Sequence, residues 1–207
     1  MNQLIVYAKR PVPGYAKTRL AAGIGKEEAA GVYARLLYGY LHDLCRTEWA
    51  QTRITLAVSA PADVPFFVAA FPEFDVQPQT AGDLGARIAD SFARAFAAGA
   101  KRVVLTGSDI PALDAALVQR AFVALETVAV VTGPAVDGGY YLIGQRAPGA
   151  ALFEGIAWST DAVLAQTEAR VRAAGLSIAY LPVLADLDTD KDYRAWYNPK
   201  ELTYGTA

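Results

Sequence analysis

Six short apolar runs punctuate the chain, at residues 4–8, 54–58, 103–106, 128–132, 140–143 and 178–183. Each is apolar almost throughout, which suits strands covered on both faces of a mostly parallel sheet. Amphipathic stretches lie between them, at 26–45, 64–71, 84–98, 115–125 and 162–174. This alternation predicts an open α/β sheet, mixed but mostly parallel, with helices on both faces. Asp137-Gly138-Gly139 precedes the run at 140–143 and predicts a tight turn into an antiparallel strand. Thr189 and Asp192 have capping-box spacing and predict the start of a last helix. Residues 148–160 are too irregular to assign. A single domain over 1–197 with a fraying tail at 198–207 is expected.

Composition narrows the function. Nineteen Lys and Arg against 21 Asp and Glu give a formal net charge of -2 in 207 residues, which argues against nucleic acid as the main partner. Cys45 is the only cysteine, so no intrachain disulfide or cysteine-held metal cluster can form. His42, the only histidine, lies three residues from Cys45 on a predicted helix. A half-buried helical cysteine is a better reading than a Cys–His catalytic pair. No apolar run approaches the ~20 residues of a membrane span. The N-terminus enters a strand without a signal-peptide pattern, so a cytoplasmic protein is expected. Oligomeric state is open.

In an open α/β sheet, ligands bind beyond the carboxyl ends of the strands. The segment after the first strand carries Lys9, Arg10, Lys17 and Arg19 and no acid. Pro11, Pro13 and Gly14 bend and stiffen it. Such a loop, with Thr18 beside its cations, suits phosphate oxygens; a solvated basic turn is the alternative. Neither a Walker loop nor a dinucleotide fingerprint is present. After 103–106 comes Gly107-Ser108-Asp109. Asp109 either holds Mg²⁺ or Mn²⁺ against phosphates or caps a turn, with Asp114 the nearer helix cap. Asp137, Gly138 and Gly139 form a hairpin turn or line a site. Asp186 and Asp188, two residues apart, either complete a metal site or make a solvated acidic turn. Gly82 and Asp83 open a helix where an anion can sit, or Asp83 is a plain N-cap. Trp158 stacks on a sugar or packs beneath the cap predicted at Ser159-Thr160-Asp161. Tyr33, Leu37, Tyr40, Leu41 and Leu44 have the spacing of a core stripe.

The segments 9–20, 82–87, 107–111, 137–144, 158–160 and 186–189, in this order, resemble a bacterial GT-A-like glycosyltransferase family associated with radical-SAM and selenodomain gene neighbourhoods. The likeness runs from Ile5 to Trp196. More distantly, Lys17-Thr18-Arg19-Leu20 and the closing Asp186-Leu187-Asp188-Thr189 resemble phospholactate and molybdenum-cofactor guanylyltransferases. The resemblance implies a nucleotide-diphospho-sugar transferase fold. It implies phosphate contacts by Lys17 and Arg19, a metal at Asp109 approached by Asp188 and Asp186, and an acceptor or sugar side at Asp137 and Gly138. One departure stands out: the metal strand ends in Gly107-Ser108-Asp109, with one carboxylate where glycosyltransferases of this fold commonly carry Asp-x-Asp.

Three readings follow. In the first, a metal-dependent glycosyltransferase moves a sugar from a nucleotide-diphospho-sugar to a small-molecule acceptor. Asp109, Lys17 and Arg19 neutralise the leaving diphosphate and Asp137 serves as base. In the second, a phosphorylated acceptor attacks a nucleotide triphosphate and releases pyrophosphate. The third is a nucleotide-binding scaffold without turnover.

Overall fold

The computed structural model describes residues 1–197; the predicted tail at 198–207 lies outside the described residues. The elements run β1 (Asn2–Ala8), α1 (Thr18–Ile24), α2 (Lys26–Arg46), β2 (Thr52–Val58), α3 (Val64–Ala70), β3 (Asp75–Pro78), α4 (Leu84–Ala97) and β4 (Arg102–Thr106). They continue with α5 (Ala115–Ala124), β5 (Val130–Pro134), β6 (Tyr140–Gln145), α6 (Val163–Ala173), β7 (Ile178–Tyr180) and α7 (Asp190–Tyr197). The strands make one seven-stranded sheet in the order β3-β2-β1-β4-β6-β5-β7.

Among the described strands only β6 runs against its neighbours, antiparallel to β4 and β5, as the turn at Asp137-Gly138-Gly139 predicts. The remaining pairings are parallel. From β1 the chain winds outward through β2 to β3, then returns and places β4 on the other side of β1. The carboxyl ends of β1 and β4 therefore diverge into loops on opposite sides of one crevice, the position where open α/β sheets take ligands.

The apolar strands are covered on both faces. Leu4, Val6 and Val104 face a core built with Leu37, Leu41 and Leu44 of α2, Phe67 of α3 and Val118 of α5. Ile5, Val103 and Leu105 face the other way, onto Ile88 and Phe92 of α4 and Phe153. Alternate residues of one strand thus anchor helices on opposite sides. A full stripe of buried apolar side chains contributes on the order of 1.5–3 kcal/mol each, so the strand ends are rigid platforms for the loops that follow them.

Several expectations are corrected. Helix α1 starts inside the basic loop, at Thr18, and its N-cap is Lys17 in the left-handed region (φ 51°, ψ 48°), with no side-chain cap. Strand β3 carries one fully apolar side chain, Val76, and pairs at the sheet edge, so hydrophobic pattern alone passes over it. Strand β7 stops at Tyr180 rather than continuing to residue 183. Helix α6 is capped at Ala162 without a side-chain acceptor, not by Ser159, Thr160 or Asp161. Cys45 is exposed. No described helix is long and apolar enough to cross a membrane.

Candidate functional site

Three chain segments that are far apart in sequence meet at the β1/β4 crevice. The first is the basic loop after β1. It is held by a relay of hydrogen bonds: Lys9 N–H donates to the Tyr33 hydroxyl (3.0 Å), and Ser108 Oγ–H donates to the Tyr7 carbonyl (2.8 Å). The Tyr33 hydroxyl and Ser108 Oγ lie 3.0 Å apart, so Tyr33 donates and every proton of the relay is used once. The relay ties the loop leaving β1 to the loop leaving β4. Burial, opposed by the bonds to Ser108 and Lys9, pushes the Tyr33 phenol up to about 12, so it stays a neutral donor.

The second segment is Gly107-Ser108-Asp109, aimed into the crevice by the buried strand β4. The third is the acidic turn 186–192. Leu187 is buried among Leu20, Ala29, Val32 and Leu36, which docks that turn on α1 and α2. The reciprocal capping box is present: Thr189 N–H donates to Asp192 Oδ2 (2.8 Å) and Asp192 N–H to Thr189 Oγ1 (3.3 Å). A Cβ on Gly23 would lie 2.6 Å from the Asp190 Cβ, so α1 and α7 approach only because residue 23 is glycine. This packing brings Asp188 to Lys17, 171 positions away in the chain.

Lys17 is the hub. Its ammonium lies 2.8 Å from Asp109 Oδ2 and 3.2 Å from Asp188 Oδ1, and its side chain is only 4% exposed. Burial works against its charge, but the Asp109 and Asp188 carboxylates outweigh burial and hold its pKa above the ordinary lysine value. Arg19, largely exposed, pairs with the other oxygen of Asp188. Lys17 has three N–H donors and spends two on these carboxylates, which leaves one for a ligand.

Around this hub lies a cavity of about 440 Å³ lined by Lys9, Lys17, Thr18, Arg19 and Arg87, with Asp109 and Asp188 as its acids. Of the phosphate candidates, Arg10, Gly14, Gly82 and Asp83 are not in its lining. Arg10 lies over the Phe66 ring at 4.5 Å, and Asp83 caps α4 by accepting from Ala86 N–H. Arg87 and Gln79, bonded to each other at 3.2 Å, do line it. Gln79 carries no charge and follows a strand that the pattern hides. Arg87 lies one turn into α4, where an inward arginine cannot be told from a solvated one. Tyr33 is buried, as the core stripe predicts, but it also lines the cavity.

A second cavity of about 720 Å³ adjoins the first along Asp109 and Asp188. Its walls include Asp137, Gly139, Trp158, Asp161 and Asp186; Gly138 is not in the lining. Asp137 lies in the β5–β6 hairpin, where its Oδ1 accepts from Gly139 N–H at 2.9 Å. The turn reading and the cavity reading hold together. Asp161 reaches this wall through a tight contact. Gly138 has φ +86°, and a Cβ there would lie 2.2 Å from the Asp161 carbonyl oxygen. Trp158 stands edge-on to Tyr140, centroids 6.4 Å apart. Ser159, in the left-handed region at φ 65°, lines both cavities. A non-glycine residue held there stores local strain of the sort found at ligand clamps.

For a divalent cation, the test is whether oxygens converge. Asp109 and Asp188 do, on the point held by the Lys17 ammonium, and carboxylate oxygens are the donors that Mg²⁺ and Mn²⁺ take. The pair fits an ion only once the Lys17 ammonium leaves that point, the ion then drawing its other ligands from phosphate and water. Among the described residues no group of three His, Cys, Asp or Glu side chains is placed to hold a metal, so Asp186 does not join the pair in this arrangement.

Comparison with known proteins agrees with this architecture. A candidate nucleotide-diphospho-sugar transferase from Desulfovibrio desulfuricans G20 is 34% identical and superposes with a TM-score of 0.89, covering 98% of this chain and 89% of that one. The inositol-1-phosphate CTP transferase from T. maritima shares the fold at 14% identity, with a TM-score of 0.58 and coverage of 100% and 98%. Glucosyl-3-phosphoglycerate synthase from Mycobacterium tuberculosis, solved with Mn²⁺, UDP and glucosyl-3-phosphoglycerate, shares it at 12% identity, with a TM-score of 0.56 and coverage of 94% and 75%. No curated protein matches. Residues 41–160 match a family described as an uncharacterized protein conserved in bacteria, and the chain belongs to that family, DUF2064.

Proposed function

We propose that the protein is a transferase that binds a nucleotide-diphospho-sugar in the basic cavity and passes the sugar to a small molecule in the acidic one. The observation that carries this reading is the Lys17 hub, a buried ammonium held by two carboxylates beside Arg19 at the β1/β4 crevice. The chain's likeness to a candidate nucleotide-diphospho-sugar transferase, and the fold it shares with a CTP transferase and a glucosyl-phosphoglycerate synthase, support the same reading.

The chain's own residues have definite tasks in this reading. Lys9 and Lys17 supply point charges, and Arg19 and Arg87 supply planar forks, around the phosphates. The relay through Tyr33 and Ser108 fixes the loop in advance, so little reorganisation accompanies charge growth on the leaving diphosphate. Asp137 accepts one backbone bond and keeps its other oxygen for the proton of an acceptor hydroxyl. With the Lys17 ammonium turned from their shared point onto a phosphate, Asp109 and Asp188 would hold Mg²⁺ or Mn²⁺, which when bound supplies electrophilic stabilisation of phosphate oxygens. The reaction then takes place where the two cavities meet.

The same cations suit a nucleotide triphosphate, and a nucleotidyl transfer to a phosphorylated acceptor is the second reading. Products separate the two. Incubation with nucleotide sugars and Mg²⁺ or Mn²⁺ is expected to release a nucleoside diphosphate, and incubation with triphosphates is expected to release no pyrophosphate. Pyrophosphate release with a phosphorylated acceptor overturns the glycosyl reading. Binding of nucleotide without turnover of either substrate class favours a scaffold.

A further inference from the structure

The second cavity has a lopsided charge. Among the described residues Asp109, Asp137, Asp161, Asp186 and Asp188 line it, and Arg19 is its one cationic lining residue. Arg19 is already paired with Asp188, and Lys17 holds Asp109 and Asp188 from the neighbouring cavity. No ion pair among the described residues engages Asp137, Asp161 or Asp186. The cavity is also large enough for a small molecule, and the Trp158–Tyr140 corner adds an apolar wall.

Ionised carboxylates only accept hydrogen bonds, so they reward hydroxyl and ammonium donors. They oppose a second anion in the same poorly screened space. We infer that this cavity receives the acceptor and selects hydroxylated molecules free of phosphate and carboxylate groups, with amino-bearing polyols favoured over neutral ones. The inference rests on the transferase reading and sharpens it. The acceptor hydroxyl oxygen bonds to the anomeric carbon as that carbon's bond to the diphosphate oxygen breaks. The bonding pair leaves with the diphosphate, and the hydroxyl proton passes to a carboxylate of the cavity. A phosphorylated acceptor, which nucleotidyl transfer requires, meets like charge here.

The test titrates the full chain with glucose, glucosamine and glucose 6-phosphate as size-matched probes, with and without a nucleoside diphosphate. A separate titration with the diphosphates alone reports on the basic cavity. The expected result is glucosamine severalfold tighter than glucose, and glucose severalfold tighter than glucose 6-phosphate. Asp161→Asn, and Asp137→Asn with Asp161→Asn, are expected to narrow that spread. Diphosphate affinity serves as the control for folding. Glucose 6-phosphate binding as tightly as glucose, no response to any of the three probes, or a spread unchanged in both variants overturns the inference. Loss of the diphosphate response with the probe order intact sinks the transferase reading while leaving the cavity's selectivity in place.

Discussion

The two cavities share Arg19, Leu84, Gly107, Asp109, Ser159 and Asp188, yet their charges are opposite. Among the described residues, Lys9, Lys17, Arg19 and Arg87 surround two acids on one side, and five acids surround one arginine on the other. The polarity changes across Asp109 and Asp188, which belong to both. An anionic donor on the basic side and a hydroxylated acceptor on the acidic side fit this gradient in one arrangement only. The contrast also has a structural origin. The basic cavity is built on the parallel half of the sheet, from loops after β1 and β4, whereas the acidic one leans on the β5–β6 hairpin and the segment before α6.

Substitutions can break this contrast one side at a time. Asp109→Asn, on the shared wall, should have the largest effect. It removes one of two carboxylates that hold Lys17 and one of two that converge for a cation, and transfer is expected to fall by ~10²–10³. Circular dichroism should show an unchanged fold. Lys17→Met comes next. It leaves Asp109 and Asp188 without their ammonium, and stability should drop by about 1–3 kcal/mol, below the range for a fully buried pair because Asp109 is half exposed. Mn²⁺ should restore part of the lost Tm, because an ion can take the vacated point.

Gly138→Ala should disturb the acidic side alone. The added Cβ meets the Asp161 carbonyl and the left-handed backbone disfavours alanine, with an expected loss of about 1–3 kcal/mol. Acceptor KM should rise while nucleotide Kd holds. Tyr33→Phe should disturb the basic side alone. It cuts the relay and leaves Ser108 and Lys9 N–H short of a partner, which costs about 1–2 kcal/mol. The smallest effect is alkaline. Because the folded pKa of Lys17 is raised, its stabilisation is complete below the unfolded lysine value and is lost as pH rises through the folded one. Lys17→Met should remove that alkaline slope in pH-dependent denaturation.

Much of the fold was legible because its strands are apolar on both faces. Residues 103–106 and 140–143 could be read as buried strands, and the paired glycines before Tyr140 marked the reversal of direction. Strand β3 was not legible, since Asp75, Gln77 and Pro78 carry no hydrophobic signal and edge pairing needs none. Helix α1 hid inside the basic loop because Lys17 takes a left-handed cap without a side-chain acceptor. The site was partly legible. Lys17, Arg19, Asp109 and Asp188 stood out as charge beside strand ends. Their convergence was implied by the family resemblance alone and not by the residues themselves, because it depends on Leu187 packing against α1 and α2 and on Gly23 yielding space to Asp190. Arg87, Gln79 and Asp161 gave no local sign of facing inward.

The central claim is that phosphate is held on the basic side alone. Calorimetric titration of wild type, Lys17→Met, Arg87→Ala and Asp137→Asn with a panel of nucleoside diphosphates tests it most directly. One diphosphate is expected to bind wild type. Its affinity should fall about tenfold or more, ~1.4 kcal/mol, in Lys17→Met and Arg87→Ala, and stay within twofold in Asp137→Asn. Equal losses in all three variants, or tighter dependence on Asp137 than on Lys17, would contradict the account.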